Sequence, residues 1–187
     1  MHPIFSLPNP ERCRAIKEDI RMSICLHELG HFRVARHYRV PFAAIMLPEL
    51  PVGPRVDGST LFPSMMLNTA GASQTQLLSI CVAGYAGELC LFDKAHVQSG
   101  GEIHVCAAGS ANDAAAILKI GKLSIVALKD TNDIQRVLVG CVQSLKFEPY
   151  NILYCDVAGF RRTASVLYAQ WKAVGFQGLA FTGDALD

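Results

Sequence analysis

The sequence predicts a single, mainly α-helical domain with a short β element. Its 187 residues suffice for one hydrophobic core, and 51% of them are apolar against 18% charged, which is typical of a chain that folds by burying surface. Long stretches without proline alternate with clusters of proline and glycine, and such clusters mark loops between helices. We therefore expect one domain over residues 1–187, with helices surrounding a small β element.

The first predicted helix covers roughly residues 10–39. Residues Asn9–Glu11 supply an N-cap, a first-turn proline and an acidic side chain, which together mark a helix start. The next proline is at position 41, so no proline interrupts the helix before that point. The apolar run at 42–47 predicts a short strand, and the proline- and glycine-rich stretch at 48–63 predicts a loop.

The rest of the chain predicts further helices. Residues 73–92 are apolar on nearly every face and contain no proline, so we expect a buried helix that packs against the first. Gly30 supports this packing, because a glycine inside a helix costs roughly 0.5–1 kcal/mol relative to alanine and indicates close approach by another backbone. Pro149 separates the last two predicted helices, and the last dozen residues are expected to be frayed. These later helices are predicted at 110–128, 131–146 and 156–174.

Composition favours a cytoplasmic protein that binds neither nucleic acid nor membrane. The net charge is +1 with no basic stripe, which gives no electrostatic footprint for nucleic acid. The longest apolar run, 77–92, is short for a bilayer span and contains Glu88. Seven cysteines form an odd set without a CxxC pair, so we expect reduced thiols, and the first residues lack the pattern of a secretory signal.

The pentapeptide His27-Glu28-Leu29-Gly30-His31 lies inside the first predicted helix. Histidines four residues apart differ by about 40° in direction and about 6 Å in height, so both imidazoles can reach one zinc ion. Glu28 projects about 100° round from His27, close enough to hold a metal-bound water without ligating the metal. The pattern predicts a zinc site with His27 and His31 as ligands and Glu28 as the general base that takes a proton from that water.

A catalytic zinc usually has three protein ligands and one open position, and several residues are candidates for the third. His37 follows His31 by six, but on a continuing helix it lies about 240° round and about 9 Å further along. We therefore interpret His37 as a residue near a helix end rather than a ligand. His96 and His104 could ligate only if the glycine-containing loop 93–109 folds over the site.

Glu88 allows two interpretations that the residues alone leave open. A carboxylate in so apolar a helix is costly to bury unless it is paired, hydrogen-bonded or metal-bound. It could be a metal ligand or the acceptor for a metal-bound imidazole. Alternatively, it could form a structural ion pair with an arginine such as Arg33 or Arg36.

Three blocks in order, LHELGH at 26–31, AGYAGEL at 83–89 and GSANDAAAI at 109–117, resemble the peptidase domain of the FtsH family of ATP-dependent zinc proteases. The resemblance covers about residues 20–125 and implies a zincin-like, FtsH-type peptidase fold. In that family the aspartate of the third block is the third zinc ligand, so the resemblance selects Asp113. It leaves Glu88 as a supporting residue or an alternative ligand.

The resemblance also implies a substrate class and an assembly. Residues Ala44, Ile45 and Met46 look like the family's edge strand, to which a substrate can add through backbone hydrogen bonds. The sequence lacks the Gly-x-x-x-x-Gly-Lys-Ser/Thr motif of an ATPase. We therefore expect an ATP-independent peptidase acting on peptides or unfolded segments, with a homo-oligomer implied by the family's hexameric rings. The alternative is a zinc-binding module that recognises a partner without cutting it.

Overall fold

Seven α-helices and a three-stranded antiparallel sheet are formed by the residues that the computed structural model describes, namely 1–47, 64–92, 110–123, 128, 130–182 and 186. The helices are α1 Asn9–Glu18, α2 Ile20–His37, α3 Gln74–Leu89, α4 Ala111–Ile120, α5 Thr131–Ser144, α6 Glu148–Tyr154 and α7 Val157–Ala173, and a short 3-10 helix spans Pro3–Ser6. The strands are β1 Phe42–Leu47, β2 Ser64–Leu67 and β3 Leu179–Thr182. The predicted mainly helical fold with a short β element is confirmed. The predicted loop at 48–63 lies outside the described residues.

The long helix predicted at 10–39 is two helices, because the backbone leaves the helical conformation at Asp19 with φ −115° and ψ 72°. The Asp19 carboxylate lies 3.4 Å from both His2 Nε2 and Arg21 Nε, and aspartate favours such helix ends over helix interiors. Asn9 begins α1 instead of capping it, and Pro8 holds the cap position without a side-chain hydrogen bond. The break precedes the histidine motif, which α2 carries whole.

Helices α2 and α3 cross at unusually short range, as Gly30 predicts. A Cβ atom at Gly30 would lie 2.3 Å from the Ala83 carbonyl oxygen, and one at Gly87 would lie 2.5 Å from that of Leu26. Only glycine fits at both positions, because no real Cβ atom makes such contacts. The prediction that the buried helix packs against the first is confirmed.

A capping box fixes where α3 begins. The Ser73 side chain accepts a hydrogen bond from the Gln76 backbone N–H, and the Gln76 side chain accepts one from the Ser73 N–H at 2.8 Å. This reciprocal pair satisfies two amides that the first turn leaves unpaired. The start of α3 therefore agrees with the predicted helix at 73–92.

Strand β1 is the central strand of the sheet, with β2 on one side and β3 on the other. Ala44 pairs with Met66 and Thr182, Ile45 with Met65 and Phe181, and Met46 with Ser64 and Ala180. The prediction of an edge strand at Ala44, Ile45 and Met46 is therefore wrong, because the chain itself occupies both edges. The expected fraying is also wrong for the described part of the last dozen residues, since β3 pairs with β1 and Phe181 and Leu186 are buried.

Two of the later helices differ from the prediction, one in its bounds and one in its existence. Helix α4 ends at Ile120 rather than near Leu128, because Lys122 adopts a left-handed φ of 51° and Leu123 N–H bonds back to the Leu118 carbonyl. This is the hydrogen-bond pattern of a Schellman motif. Helix α6 was not predicted, since Pro149 was interpreted as a separator. In fact it lies in the first turn of α6, where a missing N–H costs no hydrogen bond.

Within the described parts of the chain, no helix is long and apolar enough to cross a membrane. The cysteines whose side chains are described are all free thiols, as expected: Cys25, Cys81, Cys90, Cys141 and Cys155.

Candidate metal centre

Helix α2 presents His27 and His31 side by side at its crossing with α3. The two imidazole centroids lie 4.8 Å apart, and the side chains are only 12% and 10% exposed. The spacing of four residues places both rings on one side of the helix, as the sequence predicts.

Asp113 joins the two histidines from another helix. It is the third residue of α4, and its Oδ2 lies 2.9 Å from His27 Nε2 while its Oδ1 lies 3.6 Å from His31 Nε2. One ligand atom from each of the three residues lies within 4.8 Å of the others. The three side chains therefore form a group that could hold a metal ion.

The other ring nitrogen of each histidine meets an acceptor on α3. His31 Nδ1 lies 2.7 Å from the Ile80 carbonyl oxygen, and His27 Nδ1 lies 2.9 Å from Glu88 Oε1. A carbonyl or a carboxylate only accepts, so each Nδ1 carries a proton, which leaves Nε2 of each ring as the nitrogen that could bind a metal ion. Metal-binding histidines are oriented in this way.

Glu88 occupies the position of an acceptor for an imidazole. Its Oε1 accepts a hydrogen bond from the Nδ1–H group of His27, and its Oε2 accepts one from the Ser23 hydroxyl. Glu88 is 3% exposed, so this carboxylate is hydrogen-bonded at both oxygens within the core. Arg33, one of the arginines proposed as its partner, donates instead to Thr163 Oγ1 at 3.2 Å.

Gly84 leaves the space in front of the two imidazoles open. A Cβ atom there would lie 2.5 Å from His27 Nε2 and 2.6 Å from His31 Nε2. Any other residue would fill the space beside the two Nε2 atoms. The missing side chain thus fits a metal ion bound by the three ligands.

Electrostatics at the centre favours a cation. Burial alone would lower the pKa of His27, but the Asp113 and Glu88 carboxylates raise it well above its ordinary value. Burial would raise the pKa of Asp113, whereas His31 and His27 lower it. The carboxylates that favour a proton on His27 would equally favour a divalent cation among the same groups.

Glu28 lies beside His27 in the sequence and is buried, with 3% of its surface exposed. Its Oε2 has no hydrogen-bond partner among the described residues. Burial raises the pKa of Glu28 above its ordinary value, an effect that His31 and His27 oppose. A buried carboxylate oxygen without a partner is costly, and the described residues leave this acceptor unsatisfied.

The remaining predicted candidates do not join this group. His37 is the last residue of α2, is exposed, and has its ring against Tyr38. Helix α2 continues through His37, which places this residue at the helix end, as predicted. His96 and His104 lie outside the described residues, as does the loop 93–109 that contains them.

Three features of the centre were missed at the level of sequence: the hydroxyl of Ser23, the carbonyl of Ile80 and the space at Gly84. Ser23 carries a detectable signal, because it lies four residues before His27 and shares its helix face. The Ile80 contact depends on the register of α3 against α2, which local sequence does not encode.

Comparison of the chain with protein-family models, curated proteins and solved structures gives no match. The resemblance to the FtsH family therefore stays a prediction from three sequence blocks. The chemistry proposed for the centre is therefore argued from the arrangement of its own residues.

Proposed function

We propose that this chain is a zinc-dependent metallopeptidase with an FtsH-type, zincin-like peptidase domain. The observation that carries the proposal is the convergence of His27, His31 and Asp113, with the buried Glu28 next to His27 in the chain. Two imidazoles and a carboxylate are a donor set that catalytic zinc sites use, and three protein ligands leave a position open. A structural zinc site normally has four protein ligands, so this set favours catalysis.

In the proposed mechanism the protein orients the ligands and supplies the base. His27 and His31 would hold zinc through Nε2, and Asp113 through a carboxylate oxygen. When bound, zinc would supply Lewis-acid polarisation of a peptide carbonyl and lower the pKa of water to roughly 7. Glu28 would accept the proton of the attacking water and pass it to the departing amine, as a general base and then a general acid.

Peptides and unfolded segments are the substrates we propose. The sequence contains no P-loop, so cleavage by the chain is expected to need no ATP. Strand addition at Ala44, Ile45 and Met46 is not part of the proposal, because both edges of β1 are paired.

The test replaces Glu28 by Gln and measures cleavage of a fluorescently labelled unfolded protein by the zinc-loaded chain. General acid–base catalysis contributes roughly 10²–10⁴-fold, so Glu28→Gln should lose at least about a hundredfold in rate while still binding zinc. Glu18→Gln, at the exposed end of α1, is the control and should cleave normally.

Two results would contradict the proposal. Cleavage by Glu28→Gln at the rate of the unmodified chain would exclude Glu28 as the base. Zinc binding by the unmodified chain without any chelator-sensitive cleavage would instead favour the module that binds a partner without cutting it.

A further inference from the structure

Ser23 connects the metal centre to a part of α2 that carries none of the proposed ligands. It lies one helical turn before His27 and is 8% exposed. Its hydroxyl donates to Glu88 Oε2 across the crossing of α2 and α3. The other oxygen of the same carboxylate, Oε1, lies 2.9 Å from His27 Nδ1. A chain of contacts thus runs from Ser23 through Glu88 to a proposed metal ligand.

The direction of the Ser23 hydroxyl is informative. A serine inside a helix commonly bonds back to the carbonyl of the residue three or four positions earlier. The hydrogen bond of Ser23 among the described residues is instead made to a different helix, at a carboxylate that is 3% exposed. Hydrogen bonds to a charged acceptor are roughly twice as strong as neutral ones, so this contact restrains Glu88 more than an ordinary hydroxyl contact would.

Two partners on different oxygens fix the plane of a carboxylate. The terminal torsion of glutamate is broad, so a carboxylate with one partner can rotate about it. With Ser23 on Oε2 and His27 on Oε1, rotation of the Glu88 carboxylate would break one contact or the other. His27 Nδ1 therefore meets an acceptor with a restricted orientation.

We propose that Ser23 is a positioning residue for the metal centre. By holding Glu88, it keeps the His27 ring turned so that Nε2 faces Asp113 and His31, and in this way it raises the affinity for zinc without touching the ion. The inference rests on the metal site of the proposed function. It assigns a role to a residue other than His27, Glu28, His31 and Asp113, the four that the sequence analysis places in the site.

The test measures the zinc dissociation constant of Ser23→Ala by chelator competition. Loss of a group that orients a metal ligand typically costs about 10–100-fold in metal affinity. Ser23 contacts Glu88 and not the metal ligand His27 itself, so we expect a smaller loss of zinc affinity, about three- to tenfold. Ser165→Ala removes a hydroxyl that donates to the Arg161 carbonyl in α7 at 3.0 Å; it is the control and should bind zinc normally.

A double-mutant cycle separates positioning from ordinary packing. In the Glu88→Ala background there is no carboxylate to hold, so adding Ser23→Ala should change zinc affinity by less than about twofold. Ser23→Thr keeps a hydroxyl and should retain affinity within about threefold of the unmodified chain. The thermal stability of each zinc-free variant is recorded alongside, so that a folding defect is not mistaken for weaker binding.

Three outcomes would overturn the inference. One is full zinc affinity in a folded Ser23→Ala variant, even if its zinc-free stability falls. A second is an equal loss of affinity from Ser23→Ala with and without Glu88. A third is a loss in Ser23→Thr as large as that in Ser23→Ala. None of these outcomes contradicts the proposed metal site. Failure of the unmodified chain to bind zinc would instead contradict the proposed function itself.

Discussion

His31 is the proposed ligand whose orientation depends on backbone alone, because its Nδ1 lies 2.7 Å from the Ile80 carbonyl oxygen. His27 depends on a side chain instead, the carboxylate of Glu88. Changes at Glu88 or Ser23 should therefore affect His27 first. Asp113 differs from both, since it comes from α4 and the centre exists only where α4 meets α2 and α3.

Asp113→Asn tests the third ligand. The amide keeps the shape of the side chain but removes the charge and makes a poorer zinc ligand. We expect zinc affinity to fall by at least about tenfold, as measured by chelator competition. The fold should persist, because helices α2 and α3 form much of the core without this side chain.

Asp133→Asn is a closely matched control for that change. Asp133, like Asp113, is the third residue of its helix and follows an asparagine. Any general effect of losing an acidic group near a helix N-terminus would appear in both variants. Equal zinc affinities for Asp113→Asn and Asp133→Asn would exclude Asp113 as a ligand.

Gly84→Ala tests the space in front of the imidazoles. The added methyl would lie about 2.5 Å from His27 Nε2 and 2.6 Å from His31 Nε2, so at least one ring must turn away. We expect zinc binding to be lost or severely weakened in a zinc titration. Gly140→Ala, where nothing lies within 4 Å of the new atom, should bind zinc normally, and normal binding by Gly84→Ala would contradict the assigned position of the ion.

At the scale of elements, the crossing of α2 and α3 holds the centre together. The two glycines at the crossing, Gly30 and Gly87, face each other, and a Cβ at Gly87 would lie 3.2 Å from the Gly30 Cα. The same two helices carry both histidines, the Ile80 carbonyl and Glu88. The distance between the two helices therefore determines both the stability of the core and the geometry of the ligands.

Gly87→Ala should lower stability through that crossing. The methyl would lie 2.5 Å from the Leu26 carbonyl oxygen, a backbone atom that cannot move alone. We expect the free energy of unfolding, measured with urea, to fall by about 1–3 kcal/mol. Gly140→Ala, in the middle of α5, should instead gain up to about 1 kcal/mol. An unchanged stability in Gly87→Ala would show that the helices do not pack this closely.

Elements with local signals were predictable from the sequence. Helix α3 begins at a capping serine, and β1 is a short apolar run before a proline. The break at Asp19 was not predicted, because the preference of aspartate for helix ends is too weak to locate a helix end by itself. Helix α1 ends where the backbone torsions of Asp19 leave the helical range. Strand β3 was missed because it is defined by pairing with β1, which is distant in the sequence.

Across the whole molecule, some residues of the candidate site could likewise be predicted from the sequence and others could not. His27, Glu28 and His31 are close in sequence, so helical geometry alone indicated that they act together. Asp113 could be selected only through the resemblance, since nothing local relates α4 to α2. The Ser23 and Ile80 contacts depend on the register between two helices, and that register is set by packing of the complete fold.

We propose that His27, His31 and Asp113 bind one zinc ion with Glu28 beside it. A crystal structure of the zinc-loaded chain, with the ion located by its anomalous scattering, would test this ligand set. We predict that zinc is bound by Nε2 of both histidines and by a carboxylate oxygen of Asp113, at about 2.0–2.2 Å. Zinc bound through His37, or bound without Asp113, would contradict the proposed ligand set.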